Sequence, residues 1–407
     1  KWVNAEIDKA KASALSEKLN IDAFVAFLLV SRGIDDELAA SEFLSDGCRF
    51  SSPYLLKDMD KAVKRINRAL DDGESICIYG DYDCDGVTST ALLYTFLSAL
   101  GGFVSYYIPN RATDGYGMNF KAIDKIKADG TDLIITVDNG ISSIEEAEYI
   151  YSLGMQLIVT DHHQIGENLP RAEAVINPHR EDNEIEFRDF AGVGVAFKLA
   201  CALYDGDVED LLEDYADYVT IGTIGDMVPL LNENRAIVKA GLKLINTDAK
   251  IGISALKKST NSKAEHFSAT DVAFQICPRI NAAGRMDTAN LAVDLLTCED
   301  NEIAEYKAEQ LNLENTHRHE VEEKIDNDIA EIMANDRAYQ TDRVIVVAGH
   351  NYHKGVIGIC AAHLVELYSK PAIVIGIDDE GNATGSARSI DGFNIFEAIS
   401  SCSDILT

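Results

Sequence analysis

A chain of 407 residues, 46% apolar and 26% charged, is long enough for two or three domains with cores of their own. Its formal net charge of −32 argues against gripping nucleic acid through bulk basicity. That acidity could instead serve solvation, a high-salt habitat, or carboxylates gathered round metal ions. No run approaches 18 uninterrupted apolar residues, so no transmembrane helix is expected.

The first residues, KWVNAEIDKAKASAL, lack an initiator Met and an apolar leader core, and SCSDILT ends without a tail, so the chain is expected to be a fragment. Eight cysteines are scattered without a CxxC, most beside apolar neighbours as in SICIYG and IGICAAHL. That pattern predicts reduced, buried thiols in a cytoplasmic protein rather than a disulfide framework or a zinc knuckle.

Residues 1–70 read as helical, with apolar residues three and four apart in LSEKLNIDAFVAFLLVSRGI and MDKAVKRINRALDDG. From residue 76 the pattern changes to short apolar runs: ICIYG, FVSYYIP, LIITVDNG, QLIVTDHH and AEAVINP, with helical stretches between most of them. This alternation predicts an α/β domain with a mostly parallel sheet over 71–296, extended by the helical stretches AGVGVAFKLACALY and LLEDYADYVTIGTIGD. Residues 297–337 are charged, nearly free of Gly and Pro, and striped in places by Ile303, Leu313, Val321, Ile325, Ile329 and Ile332. They predict a long helix or helix pair that joins two domains. RVIVVAG and PAIVIGID then resume as strands around the helix VIGICAAHLVELYS, which predicts a smaller, truncated α/β domain over 338–407.

The chemistry-bearing residues follow apolar runs. Asp81, Asp83 and Asp85 follow ICIYG, Asp138 follows LIITV, and Asp161, His162 and His163 follow QLIVT. Asp226 follows an apolar segment of strand or helix character. In an open parallel sheet the carboxyl ends of the strands share one edge, where ligand chemistry occurs. One aspartate at a strand end is often only a helix N-cap. Three so close, with DHH beside them, repel unless a cation neutralises them. Oxygen-rich donors with one or two imidazoles favour Mn²⁺ or Mg²⁺ over zinc, and two bridged ions suit phosphoester or phosphoanhydride hydrolysis.

GDYDCDGVTST, VDNG, TDHH and TIGDMVPL, in this order, resemble the four motifs of the DHH phosphoesterase superfamily. IPNRATDGYG, PRINAAGRM, GVIGICAAHL and GSARSIDG narrow the resemblance to RecJ-type single-strand-specific exonucleases, over roughly residues 50 to 400. The resemblance implies a parallel-sheet DHH domain joined by a long helix to a truncated DHHA1 nucleic-acid-binding domain. It implies Asp83, Asp85, Asp138, His162 and Asp226 as metal ligands, with Asp138 bridging two ions, Asp81 in support, and His163 against the scissile phosphate. It implies Arg111, Arg285, Ser386 and Arg388 as substrate contacts. Tyr79 stands where the wider superfamily often has a metal-binding histidine, which would leave one ion with fewer protein ligands.

The implied activity is 5′–3′ hydrolysis of single-stranded DNA in recombination and repair, by a cytoplasmic monomer working with single-strand-binding protein and a helicase and without a membrane. Two other readings stand beside it: a DHH/DHHA1 phosphodiesterase of short oligonucleotides or cyclic dinucleotides, and a non-catalytic scaffold.

Overall fold

The computed structural model describes residues 7–45, 50–111, 114–115, 117–204, 206–336 and 338–402. Cys48, parts of the IPNRATDGYG segment and the last five residues of SCSDILT lie outside the described residues.

All five expected strands form one parallel sheet: β1 (Ser75–Tyr79), β2 (Phe103–Tyr107), β3 (Leu133–Val137), β4 (Gln156–Thr160) and β5 (Ala174–Ile176). Their order is β2-β1-β3-β4-β5, every pair parallel. Side chains alternate between two cores. Ile76, Ile78, Leu133, Ile135 and Ile158 face the helices Met59–Asp72, Cys84–Ala99, Gly192–Leu203 and Val208–Gly225. Cys77, Ile134, Leu157 and Val159 face Phe120–Ala128 and Ile144–Ser152. Burial on both sides explains why these strands read as continuous apolar runs, and each fully buried Ile or Leu contributes about 1.5–3 kcal/mol. The chain leaves β1 toward β2 on one side, and β3 lies on the other. The carboxyl ends of β1 and β3 therefore flank the topological switch point, the usual ligand crevice of such sheets.

Before the sheet, the helices Lys9–Leu19, Ala23–Ser31 and Glu37–Leu44 enclose a small core of Leu15, Ala26, Leu29, Ile34 and Ala40. It is tied to the main body where Arg235 lies 3.8 Å over the Phe43 ring and donates to the Phe43 carbonyl.

Residues 301–335 form a single 35-residue helix rather than a pair. Its buried positions Ala304, Ala308, Leu311, Asn315, Arg318, Ile325 and Ile329 follow a heptad-like spacing. The first half lies on the large core and the second, through Ile325 and Ile329, on the core of the smaller domain. That domain is a three-stranded sheet of β6 (Ile345–His350), β7 (Ala372–Ile377) and β8 (Ala383–Arg388), with the helix Ile357–Tyr368 packed against it. GSARS, readable as a glycine-rich turn, is instead strand: β8 pairs antiparallel with β7 and places Ser386 opposite Val374. Among the described residues no helix is long and apolar enough to cross a membrane. The seven described cysteines are all free, and four of them are buried.

Candidate functional site

The acidic turn after β1 is shaped by helix capping. Asp83 is the N-cap of Cys84–Ala99, its Oδ1 accepting from the N–H groups of Asp85 (2.9 Å) and Gly86 (3.1 Å). The ordinary role of an aspartate after a strand is thus fulfilled by one oxygen. Gly86 lets the turn close, since a Cβ there would lie 2.6 Å from the backbone of Asp81. Asp85 is buried and held by the start of another helix: Gly192 N–H donates to its Oδ2 at 2.5 Å and Val193 N–H to its Oδ1 at 2.8 Å.

Asp138 directly follows β3 and is buried at φ +60°, a left-handed conformation uncommon for a residue with a side chain. Its N–H bonds the Thr160 carbonyl at 3.1 Å. Gly192 makes room for it, because a Cβ on Gly192 would sit 2.6 Å from the Asp138 Cβ. After β4, His162 brings its Nε2 to 3.0 Å from Asp138 Oδ1 and 3.7 Å from both Asp85 Oδ2 and Asp226 Oδ2. Asp226 arrives differently from the others. It caps the C-terminus of the helix Val208–Gly225, so the fourth arm of the site is a helix end and not a strand end.

Two neighbouring donor groups result. Asp85, His162 and Asp226 offer ligand atoms within 4.8 Å of one another, as do Asp81, Asp83 and Asp138. Asp138 also groups with His162 and His163, and so stands between the two sets. Asp81 joins Asp83 and Asp138 in a donor group, where sequence reading assigned it only support. Burial, with Asp83 beside it, pushes the Asp81 carboxyl up to about 7. Burial and the neighbouring carboxylates hold Asp85 and Asp138 well above the usual range, and burial with the Asp83 charge takes Asp226 to about 6. Burial and His163 lower His162 to about 4, which leaves a neutral imidazole, the form that binds a cation. Asp81 Oδ1, Asp138 Oδ1 and His162 Nε2 are buried without a hydrogen bond of proper geometry. Orphaned acceptors and crowded carboxylates fit divalent cations held by oxygen with one imidazole.

His163 is set apart by a residue that sequence reading left without a role. Asp161 Oδ1 accepts from His163 Nδ1 at 2.7 Å and from the N–H groups of His162 and His163, while its Oδ2 accepts from Ile141 N–H at 2.9 Å. Burial alone would raise Asp161; the bond to His163 and the backbone donors outweigh it and hold the carboxyl low. In turn this bond raises His163. The only sequence signal was spacing, an aspartate two residues before a histidine in a turn.

Tyr79 takes no part in the donor groups. It is fully buried and donates to the Gly117 carbonyl at 3.0 Å, which makes it a core residue with a satisfied hydroxyl.

The expected substrate contacts gather on the other side. NAAGRM lies in the helix Cys277–Met286, where Asn281 Oδ1 accepts from Cys84 N–H at 2.8 Å and Arg285 donates to the Gly355 carbonyl at 2.9 Å. Arg279 turns away to Asn312 and the Gln275 carbonyl. Burial, then the charges of Arg111, Arg318 and Arg388, lower Arg285 to about 10. Arg111, Arg318 and Arg388 therefore each sit within electrostatic reach of Arg285 in an otherwise acidic protein. Gly358, in the first turn of Ile357–Tyr368, brings that helix N-terminus to Ser386 and Arg388: a Cβ there would lie 2.9 Å from Ser386 Oγ and 3.3 Å from Arg388 Nη2. A helix N-terminus with a hydroxyl and guanidinium groups suits a phosphate. Arg318 was not foreseen. It is buried on the linking helix, held by Asn315 and Glu322, and its signal was a polar residue on the apolar register. His363 is engaged by Asp326 at 2.8 Å.

Known proteins share this fold. The DHH family N-terminal domain matches residues 75–223 and the DHHA1 domain residues 341–406. A crystal structure of exonuclease RecJ bound to manganese aligns with TM-score 0.75 and 33% identity over 88% of each chain. This chain belongs to the RecJ-type DHH/DHHA1 family. The RecJ of Thermus thermophilus in complex with Mn²⁺ aligns with TM-score 0.82 and 30% identity over 99% of this chain and 57% of its own. The single-stranded-DNA-specific exonuclease RecJ of Bacillus subtilis is 43% identical over all of this chain but 51% of its own length, so the chain spans about half of that relative.

Proposed function

We propose that this RecJ-type chain is the catalytic part of a metal-dependent 5′–3′ exonuclease that hydrolyses single-stranded DNA in recombination and repair. The observation that carries the reading is the convergence of Asp81, Asp83, Asp85, Asp138, His162 and Asp226 at the switch point of one sheet, with buried acceptors that make no hydrogen bond of proper geometry. Similarity to RecJ structures with Mn²⁺ and Mg²⁺ supports those two ions as cofactors. When bound, such ions offset phosphate charge and lower the pKa of water.

The chain's own residues do the rest. Asp83, Asp85, Asp138, His162 and Asp226 would hold the cations, Asp138 as the residue shared by the two donor sets, and Asp81 would add charge from beside Asp83. His163, fixed by Asp161 with its proton on Nδ1, presents Nε2 toward the phosphodiester, where the protonated ring stabilises charge developing on a phosphate or leaving oxygen. Arg111, Arg285, Ser386 and Arg388 bind the strand through its phosphates, which selects no base. The domain division that goes with this reading is a helical segment over 1–70, the DHH body over 71–296, the linking helix over 297–337 and the DHHA1 portion over 338–407. The same reading makes the protein a cytoplasmic monomer that works with single-strand-binding protein and a helicase.

The test supplies Mn²⁺ with an end-labelled single strand, its duplex, and a cyclic dinucleotide. Mononucleotide release from the single strand alone supports the exonuclease; turnover of the dinucleotide alone transfers the chain to the small phosphodiesterases.

A further inference from the structure

Tyr82 stands between Asp81 and Asp83, is half-buried, and carries a phenol where its neighbours carry carboxylates. Part of its surface packs on the large core. The Arg111 guanidinium lies 5.2 Å from its ring centroid, a cation–π pair. Arg285 is close enough to act on its phenol, and Arg285 is itself within reach of Arg111, Arg388 and Asp83. Gly284 reserves the position, because a Cβ there would lie 2.2 Å from the Tyr82 carbonyl oxygen and 3.0 Å from its Cβ. An aromatic ring is therefore fixed between the carboxylates and the arginine group, and its placement depends on a glycine that no side chain could replace without a shift.

We infer that the Tyr82–Arg111 pair is the stacking platform for the nucleobase of the terminal nucleotide, the unit released at each cycle; this rests on the exonuclease reading above. A strand whose end phosphate is held by the arginines, and whose scissile phosphodiester is held by the carboxylates, must carry the intervening nucleoside past Tyr82. A π-face backed by a guanidinium takes any base, because every base has a π-face and stacking reads none of its hydrogen-bonding edge. The ligand class is an unpaired nucleobase, and the pair gives preference for a base over no base without preference among the four. A paired terminal base already stacks within its duplex and would have to leave it, so the same contact favours single strands.

Two single-stranded oligonucleotides that differ only in an abasic tetrahydrofuran unit at the terminal nucleotide test this. kcat/KM is measured on both with the wild-type chain, Tyr82→Ala and Tyr82→Phe, and Mn²⁺ binding is measured on all three. The wild type is expected to prefer the strand with the base by roughly 5- to 150-fold, the range for one aromatic–base stack. In Tyr82→Ala the ratio falls to about 1, and in Tyr82→Phe it stays near the wild-type value. Because the readout is a ratio within one protein, a general loss of rate in a variant does not mimic it. A wild type indifferent to the missing base, or a Tyr82→Ala chain that keeps the full ratio, overturns the inference while leaving the exonuclease intact. A wild type that cleaves neither strand overturns the exonuclease reading, and this one with it.

Discussion

Replacing Gly192 by alanine should weaken cation binding without removing any donor atom. A Cβ at that position would lie 2.6 Å from the Asp138 Cβ, 2.9 Å from its Cγ and 2.9 Å from its Oδ1. Ordinary contact begins at about 3.4 Å, so atoms must separate by several tenths of an ångström. Asp138 has little freedom to yield, since it is buried, sits at φ +60° and is tied through its N–H to Thr160. The helix start cannot retreat easily either, because Gly192 and Val193 donate to Asp85. Overpacking of this kind costs about 1–3 kcal/mol. If the cost is borne by the ion-binding geometry, apparent Mn²⁺ affinity falls roughly 5- to 150-fold. Calorimetric titration of Mn²⁺ measures this, with Gly166→Ala as the control because no atom lies within 4 Å of a Cβ there. Gly192→Ala binding Mn²⁺ within twofold of wild type would refute the placement of Asp138 at the centre of the site.

Asp161→Asn keeps the shape of the turn but removes the charge that orients and raises His163, so kcat should drop by about 100-fold while Mn²⁺ affinity changes little. The alkaline limb of its pH–rate profile should move to lower pH, since His163 loses the bond that holds its pKa up. In chelator, the raised carboxyls of Asp81 (about 7) and Asp226 (about 6) make the folded state bind more protons than the unfolded one. Their contribution to stability is therefore lost as pH rises from about 4 to about 7, and saturating Mn²⁺ should flatten that decline in thermal unfolding midpoints. A chelated protein whose midpoint rises over that window would contradict the shifts. Lys198→Met should destabilise folding by about 3–5 kcal/mol, because it strands the buried Glu233 carboxylate beneath Ser51; denaturant titration reads it, and the Lys198→Met/Glu233→Gln double variant should recover part of the loss.

Much of the DHH body was legible because its signals are local. The Ile- and Val-rich runs predicted all five strands of the parallel sheet, and an aspartate following a strand marks the carboxyl edge whichever neighbour the strand acquires. Asp226 was ambiguous for a physical reason: the segment before it is buried on every side, Thr220 and Thr223 included, so its small and apolar residues carry no period that separates helix from strand. GSARS was missed as a strand because Gly, Ser and Ala carry little β-propensity, and its pairing depends on β7. Asp161 could not be separated from its neighbours in DHH, since only the turn geometry decides which of the three faces a cation and which faces an imidazole.

The sequence by itself determined the layers, the strand ends and the surplus of carboxylates, because those follow from periodicity and side-chain chemistry within a few residues. Only the tertiary structure decided how the carboxylates divide into two donor groups, that Asp138 adopts a left-handed turn against Gly192, and that Arg111 and Arg285 come to Tyr82. The reason is that each of these is set by strand order and helix packing between residues roughly 50 to 200 positions apart, and no local preference of the chain encodes such a contact.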